Sequence, residues 1–295
     1  MIYTITDGKL TAKIDSLGAQ QISLTDETGL EYIWQRKAPH WKNCATVIFP
    51  IVGRCKDGII TVDGKDYSMP ECHGFAPLME YDVVEQTESS ITFALTDDEY
   101  TRTKYPFAFR FLVSYAFENG TLITTLTTEN PGDSDLIFGV GGHPGYRCPL
   151  LAGEDYTDYE VDFGKKLTLD TQDLEEDFFI SADKRIRVLT DEQILSLDKK
   201  LFANDALLFE NPEFDAITYR GKKSGKGLTF AFENFKAFAM WSDATSPSSD
   251  SFVCFEPWNS MGKRTGEGTE LAKKKDIVTL APGKSFTCSY RVTIL

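Results

Sequence analysis

The chain has 295 residues, 41% of them hydrophobic and 26% charged, which is enough apolar content for a sizeable core and excludes a disordered tail or a low-complexity array. Its 31 Lys and Arg face 45 Asp and Glu, and the net charge of -14 repels phosphate backbones and anionic lipid surfaces, so nucleic acid and membrane are excluded as expected partners. The longest nearly apolar run, 44–53, falls short of the roughly 20 residues a spanning helix needs, and the N-terminus lacks the marks of a secretory signal, so a soluble, cytoplasmic protein is expected.

Period-two alternation of β-branched and aromatic residues runs from end to end. Three tight-turn dipeptides each join two strand-like runs: Asp7-Gly8 between 3–6 and 10–14, Asp63-Gly64 between 59–62 and 67–69, and Asn119-Gly120 between 107–117 and 122–128. The apolar run 45–52 and the segments 90–95, 216–219, 228–232, 237–241, 252–255 and 285–294 carry the same signature. Gly221 to Gly227 looks superficially like a phosphate loop, but it lacks the required spacing and reads as a hairpin turn. Helical signals are rare: Thr190-Asp191-Glu192-Gln193 has capping-box spacing ahead of Ile194, Leu197 and Leu201, which predicts one short helix. With no linker and no repeat, the expectation is a single all-β domain over 1–295. Its architecture is a large antiparallel β-sandwich with one or two short helices, its core filled by the 21 Phe and 12 Tyr. The six cysteines are scattered singly and read as free thiols.

Nucleophile-elbow, zinc-protease, C-x-x-C and dinucleotide motifs are all missing. Of the three histidines, His40 sits between Pro39 and Trp41 and reads as structural. His73 and His143 lie in the Gly-rich frames Cys72-His73-Gly74-Phe75 and Gly141-Gly142-His143-Pro144-Gly145-Tyr146, where loops let a ligand approach an imidazole. Cys72, His73, His143 and Cys148 show no recognised zinc spacing, so no metal is expected. Glu256 ends the apolar strand 252–255 on the same face as Cys254, ahead of Pro257, which is expected to stop the ladder, and Trp258, which can stack on a sugar. Buried there, its carboxylate is a candidate general base. Arg54, after the apolar run 45–52, is suited to bind a sugar hydroxyl or to pair with an acid.

Gly53-Arg54, His73-Gly74, Gly141 to Tyr146, Phe255-Glu256-Pro257-Trp258 and the pattern from Leu280 to Tyr290, in this order, resemble the aldose 1-epimerase (mutarotase) family, in particular its galactose mutarotase-like, lactose-associated branch. The resemblance implies a galactose mutarotase-like supersandwich and a cofactor-free isomerase that interconverts the α and β anomers of a free aldose such as galactose or glucose. It also implies roles: Glu256 as base toward the C1 hydroxyl, His143 as acid toward the ring oxygen, and His73 and Arg54 as sugar-binding groups. The family's sugar-binding aspartate matches Asp205 best and Asp243 second. Gly141-Gly142 and Phe75 depart from the better-studied members, which carry Asn or Thr before the second histidine and a further Gly after His-Gly. The alternatives are a sugar-binding or regulatory module without catalysis, and a hexose-phosphate 1-epimerase using Arg54, Lys56 and Arg147. The expected partner is a small sugar, with the protein a monomer or a homodimer.

Overall fold

A computed structural model describes residues 1–295, the side chain of Glu176 apart. Every strand pairing in its sheets is antiparallel. A nine-stranded sheet runs in the order Ile180–Ser196, Tyr159–Leu174, Ala216–Gly221, Gly227–Glu233, Ser285–Ile294, Thr121–Glu129, Arg110–Glu118, Ser90–Thr96, Asp82–Gln86. Against it lies a five-stranded sheet in the order Leu207–Glu210, Ala237–Trp241, Ser251–Asn259, Val140–Cys148, Ala45–Ile48. A three-stranded sheet at the N-terminus, the hairpin Ile59–Val62 with Lys65–Ser68, and a long-range pair of Leu136–Phe138 with Val278–Leu280 complete the framework. The three Asp-Gly and Asn-Gly turns each close a hairpin, with Asp63 and Asn119 in the left-handed region that this turn chemistry requires.

Alternation decides which side chains meet between the sheets. Phe230 of the large sheet packs at 5.9 Å from Phe255, 6.1 Å from Phe238 and 6.2 Å from Tyr146 of the small one, filling the sandwich with aromatic rings. The opposite face of the small sheet therefore carries the residues one position along: Ala237, Ala239 and Trp241; Cys254, Glu256 and Trp258; Gly141, His143 and Gly145. Its small residues leave a hollow there. Gly142 points the other way, where a Cβ would lie 2.5 Å from the Tyr290 ring.

Three expectations are corrected. Residues 190–196 belong to the strand Ile180–Ser196, followed by a 3-10 turn at Lys199–Phe202. Pairing with Tyr159–Leu174, with Leu189 and Leu195 buried on one side, outweighs the local capping signal. The only α-helix among the described residues is Glu99–Lys104, capped by Asp98. Second, His143 lies within the strand Val140–Cys148 and not on a loop. Third, Pro257 does not end its strand, which continues to Asn259. No helix among the described residues is long and apolar enough to cross a membrane.

Candidate active site

The hollow on the outer face of the small sheet is a cleft of about 220 Å³. Its floor comes from neighbouring strands, and the pairs Gly141↔Trp258 and Gly145↔Cys254 fix a register that places His143 directly across from Glu256. Pro144 and Pro257, which lack N–H donors, flank this pair, and the ladder is interrupted between them. His143 Nε2 and Glu256 Oε2 are 3.3 Å apart. The two atoms are close enough to couple their charges but off the line of a hydrogen bond, so Oε2 is left without a partner; His143 Nδ1 and Trp258 Nε1 are also buried and unpartnered.

Loops bring the remaining groups over this floor. Arg54 and His73 come from two segments that bridge at Arg54↔Cys72. His73 has a left-handed backbone, φ +61°, held by its N–H to the Gly53 carbonyl at 2.9 Å, while Gly53 N–H donates to His73 Nδ1 at 3.3 Å. Gly53 cannot carry a side chain: its φ is +68° and a Cβ would lie 2.5 Å from Gly262 Cα. With Nδ1 as acceptor, neutral His73 offers its Nε2–H to the cleft. Burial, then the nearby Arg54 charge, lowers the His73 pKa to about 4, so the ring is a neutral donor at cellular pH. Asp205 accepts a 2.9 Å bond from Trp241 Nε1 and also lines the cleft. Burial raises its pKa, opposed by that bond and by Arg54.

The imidazole of His143 is boxed in by rings: Trp41 stacks on it at 4.7 Å, while His73 and Trp241 meet it edge-on at 5.3 and 5.8 Å. Burial, then the neighbouring His73, drives its pKa well below 6.5. Burial, then Asp205, drives that of Glu256 well above 4.5. Both shifts favour neutral forms, with one titratable proton on the pair beyond the ring N–H that a neutral imidazole keeps. Whichever of the two groups carries it, the pair presents one donor and one acceptor. His73, His143 and Glu256 each offer a potential ligand atom within 4.8 Å of one another, but metal ligation through His73 Nε2 would require removing the proton that its tautomer places there.

Of the residues singled out in the sequence, Arg54, His73, His143, Asp205, Glu256 and Trp258 all line this cleft. Asp243 does not; it binds His40 Nδ1 at 2.6 Å, which also accounts for His40. Arg147 is directed elsewhere, onto the Glu31 carbonyl at 3.2 Å. Sequence reasoning missed Trp41, Trp241 and Phe178. Trp241 was readable, since it shares a strand face with Ala237 and Ala239; Trp41 and Phe178 sit in irregular segments with no period to mark them.

The sequence profile described as aldose 1-epimerase matches residues 1–287. Among curated relatives, a chromosomally encoded LacX protein of Lactococcus lactis is 29% identical over the full length of both chains. Among solved structures, a galactose mutarotase related enzyme from Lactobacillus acidophilus superposes with a TM-score of 0.93 at 33% identity, covering 100% of this chain and 97% of that one. A galactose mutarotase-like protein from Lactobacillus casei shares the fold, with a TM-score of 0.92 at 24% identity over both full chains. The profile match across nearly the whole sequence, with the order and spacing of the cleft residues, shows that the chain belongs to the aldose 1-epimerase family.

Proposed function

We propose that the protein is an aldose 1-epimerase acting on a free aldose such as galactose or glucose, with Glu256 as base and His143 as acid. The observation that carries this reading is the cross-strand pair itself: one donor and one acceptor 3.3 Å apart, buried, with an unpartnered oxygen in a cleft of sugar-binding character. Mutarotation moves one proton off O1 and one onto the ring oxygen of the same molecule, so it needs such a pair and no net change in protonation.

In this mechanism the reactive tautomer of the pair carries its titratable proton on His143: the Glu256 carboxylate takes the proton of the C1 hydroxyl as the His143 imidazolium donates its Nε2 proton to the ring oxygen and becomes neutral imidazole. The C1–O5 bond breaks and leaves an aldehyde and a free C5 hydroxyl. Rotation about C1–C2 turns the other face of the carbonyl toward that hydroxyl. Closure then returns both protons to their starting groups. Arg54 and the His73 Nε2–H supply fixed donors for substrate oxygens, Asp205 accepts from hydroxyls, and Trp258 offers an apolar edge. All of these groups are polar or aromatic side chains of the chain itself, so the scheme requires no cofactor. Placement in the cytoplasm, where free hexoses are metabolised, fits this reading.

NMR exchange spectroscopy on equilibrated galactose and glucose tests it. Wild-type protein is expected to accelerate anomer exchange, and Glu256→Gln to lose roughly 10²–10⁴-fold of that rate, the usual contribution of a positioned acid or base. Full activity in Glu256→Gln refutes the assignment of the base. Saturable sugar binding without exchange in wild type replaces the enzyme with a binding module.

A further inference from the structure

The cleft does not end at Arg54. Beyond it a second, more polar hollow of about 270 Å³ opens among Lys56, Asp57, Glu71 and Asp177, and Arg54 and Phe178 line both spaces. The Phe178 ring lies 4.7 Å from the Arg54 guanidinium, and Arg54 has no carboxylate partner among the described residues. Phe178 is 48% exposed, and its backbone is left-handed (φ +59°), as is that of Asp177 before it (φ +62°). Two consecutive non-glycine residues in this region cost about 1–3 kcal/mol each, so surrounding bonds must hold the turn. They do: Phe178 N–H binds the Glu175 carbonyl at 3.0 Å, Glu175 N–H the Phe179 carbonyl at 2.8 Å, and Ile180 N–H the Lys263 carbonyl at 2.8 Å. An apolar ring is thus fixed open to solvent at the junction of the two hollows.

Volume and charge together narrow what fits. The inner cleft alone lies below the roughly 300–1,000 Å³ typical of ligand pockets, whereas the two spaces joined fall within it. The outer walls carry two cations, Arg54 and Lys56, against three carboxylates, Asp57, Glu71 and Asp177. That balance disfavours a phosphate group, but it offers both donors and acceptors to a neutral polyol.

We infer that the outer hollow is a second sugar subsite and that the substrate is a reducing disaccharide, its reducing-end ring at Glu256 and His143 and its second ring stacked on Phe178. This rests on the mutarotase reading above. The test compares maltose and lactose with glucose, their common reducing-end sugar, and with glucose 6-phosphate, by NMR exchange spectroscopy on the full chain. The expected result is a kcat/KM at least fivefold higher for a disaccharide than for glucose. That ratio should fall to about one in Phe178→Ala and by about twofold in Glu71→Gln. A preference for glucose or glucose 6-phosphate, or a ratio that Phe178→Ala leaves unmoved, overturns the inference. Silence with every sugar refutes the mutarotase reading instead, and calorimetric titration of Glu256→Gln then decides the subsite on its own: maltose or lactose binding more tightly than glucose upholds it, and equal or absent binding overturns it.

Discussion

Replacing Glu256 with Gln removes a titrating group from the interior while keeping its volume, and the consequence for stability can be worked out separately from catalysis. Glu256 is 1% exposed, its Oε2 has no hydrogen-bond partner, and burial pushes its pKa well above 4.5. Below about pH 4 the carboxyl is protonated in both folded and unfolded chains and adds no pH dependence. Between its unfolded and folded values the folded state binds more protons, so wild-type stability falls as pH rises, by at most about 1.4 kcal/mol per pH unit. Gln has no such slope. His143 shifts in the opposite direction and contributes in both proteins, so it largely cancels in the difference. Glu256→Gln is therefore expected to gain stability relative to wild type as pH rises from about 5 toward 7, approaching a gain of roughly 2–4 °C in Tm per pH unit. Urea unfolding followed by tryptophan fluorescence from about pH 4 to 8 measures the difference directly. A difference that stays flat over this range would mean that His143, as imidazolium, holds Glu256 ionised, and the desolvation argument would be wrong.

Trp241→Phe keeps a ring beside His143 but deletes the N–H that binds Asp205 at 2.9 Å. Loss of a hydrogen bond to a charged group, about 1.5–3 kcal/mol, predicts a fall in kcat/KM of roughly 10–100-fold, carried mainly by KM, in the anomer-exchange assay. Asp243→Asn, which disturbs the pairing with His40 and the turn at Thr245, neither of them lining the cleft, should change it by no more than about twofold. Gly142→Ala places a Cβ 2.5 Å from Cε1 of the buried Tyr290 and should cost about 1–3 kcal/mol in urea unfolding. An unchanged midpoint would show that the two sheets separate more readily at this point than their packing suggests.

Much of the fold was legible because its signals are local. The Asp-Gly and Asn-Gly turns closed the hairpins they announced, and the runs 59–62, 237–241 and 285–294 match their strands end to end. The shared face of Cys254 and Glu256 followed from alternation alone. Local signals failed where a long-range pairing overruled them. The capping-box spacing at Thr190 gave way to the ladder with Tyr159–Leu174, and the Gly-rich frame of His143 was taken into a central strand between Ala45–Ile48 and Ser251–Asn259. The choice between Asp205 and Asp243 also lay outside the sequence, because it depends on which loop is folded over the small sheet.

By itself, the sequence determined which way each strand residue points, since a side-chain period of two is a property of the extended backbone. The tertiary structure alone decided what stands opposite. The register between Val140–Cys148 and Ser251–Asn259 sets His143 against Glu256, and the loops carrying Trp41, Arg54, His73 and Asp205 close over them. Those relations join segments far apart in the chain. They are fixed by burial of the aromatic layer between the sheets, and no short stretch of sequence encodes that packing.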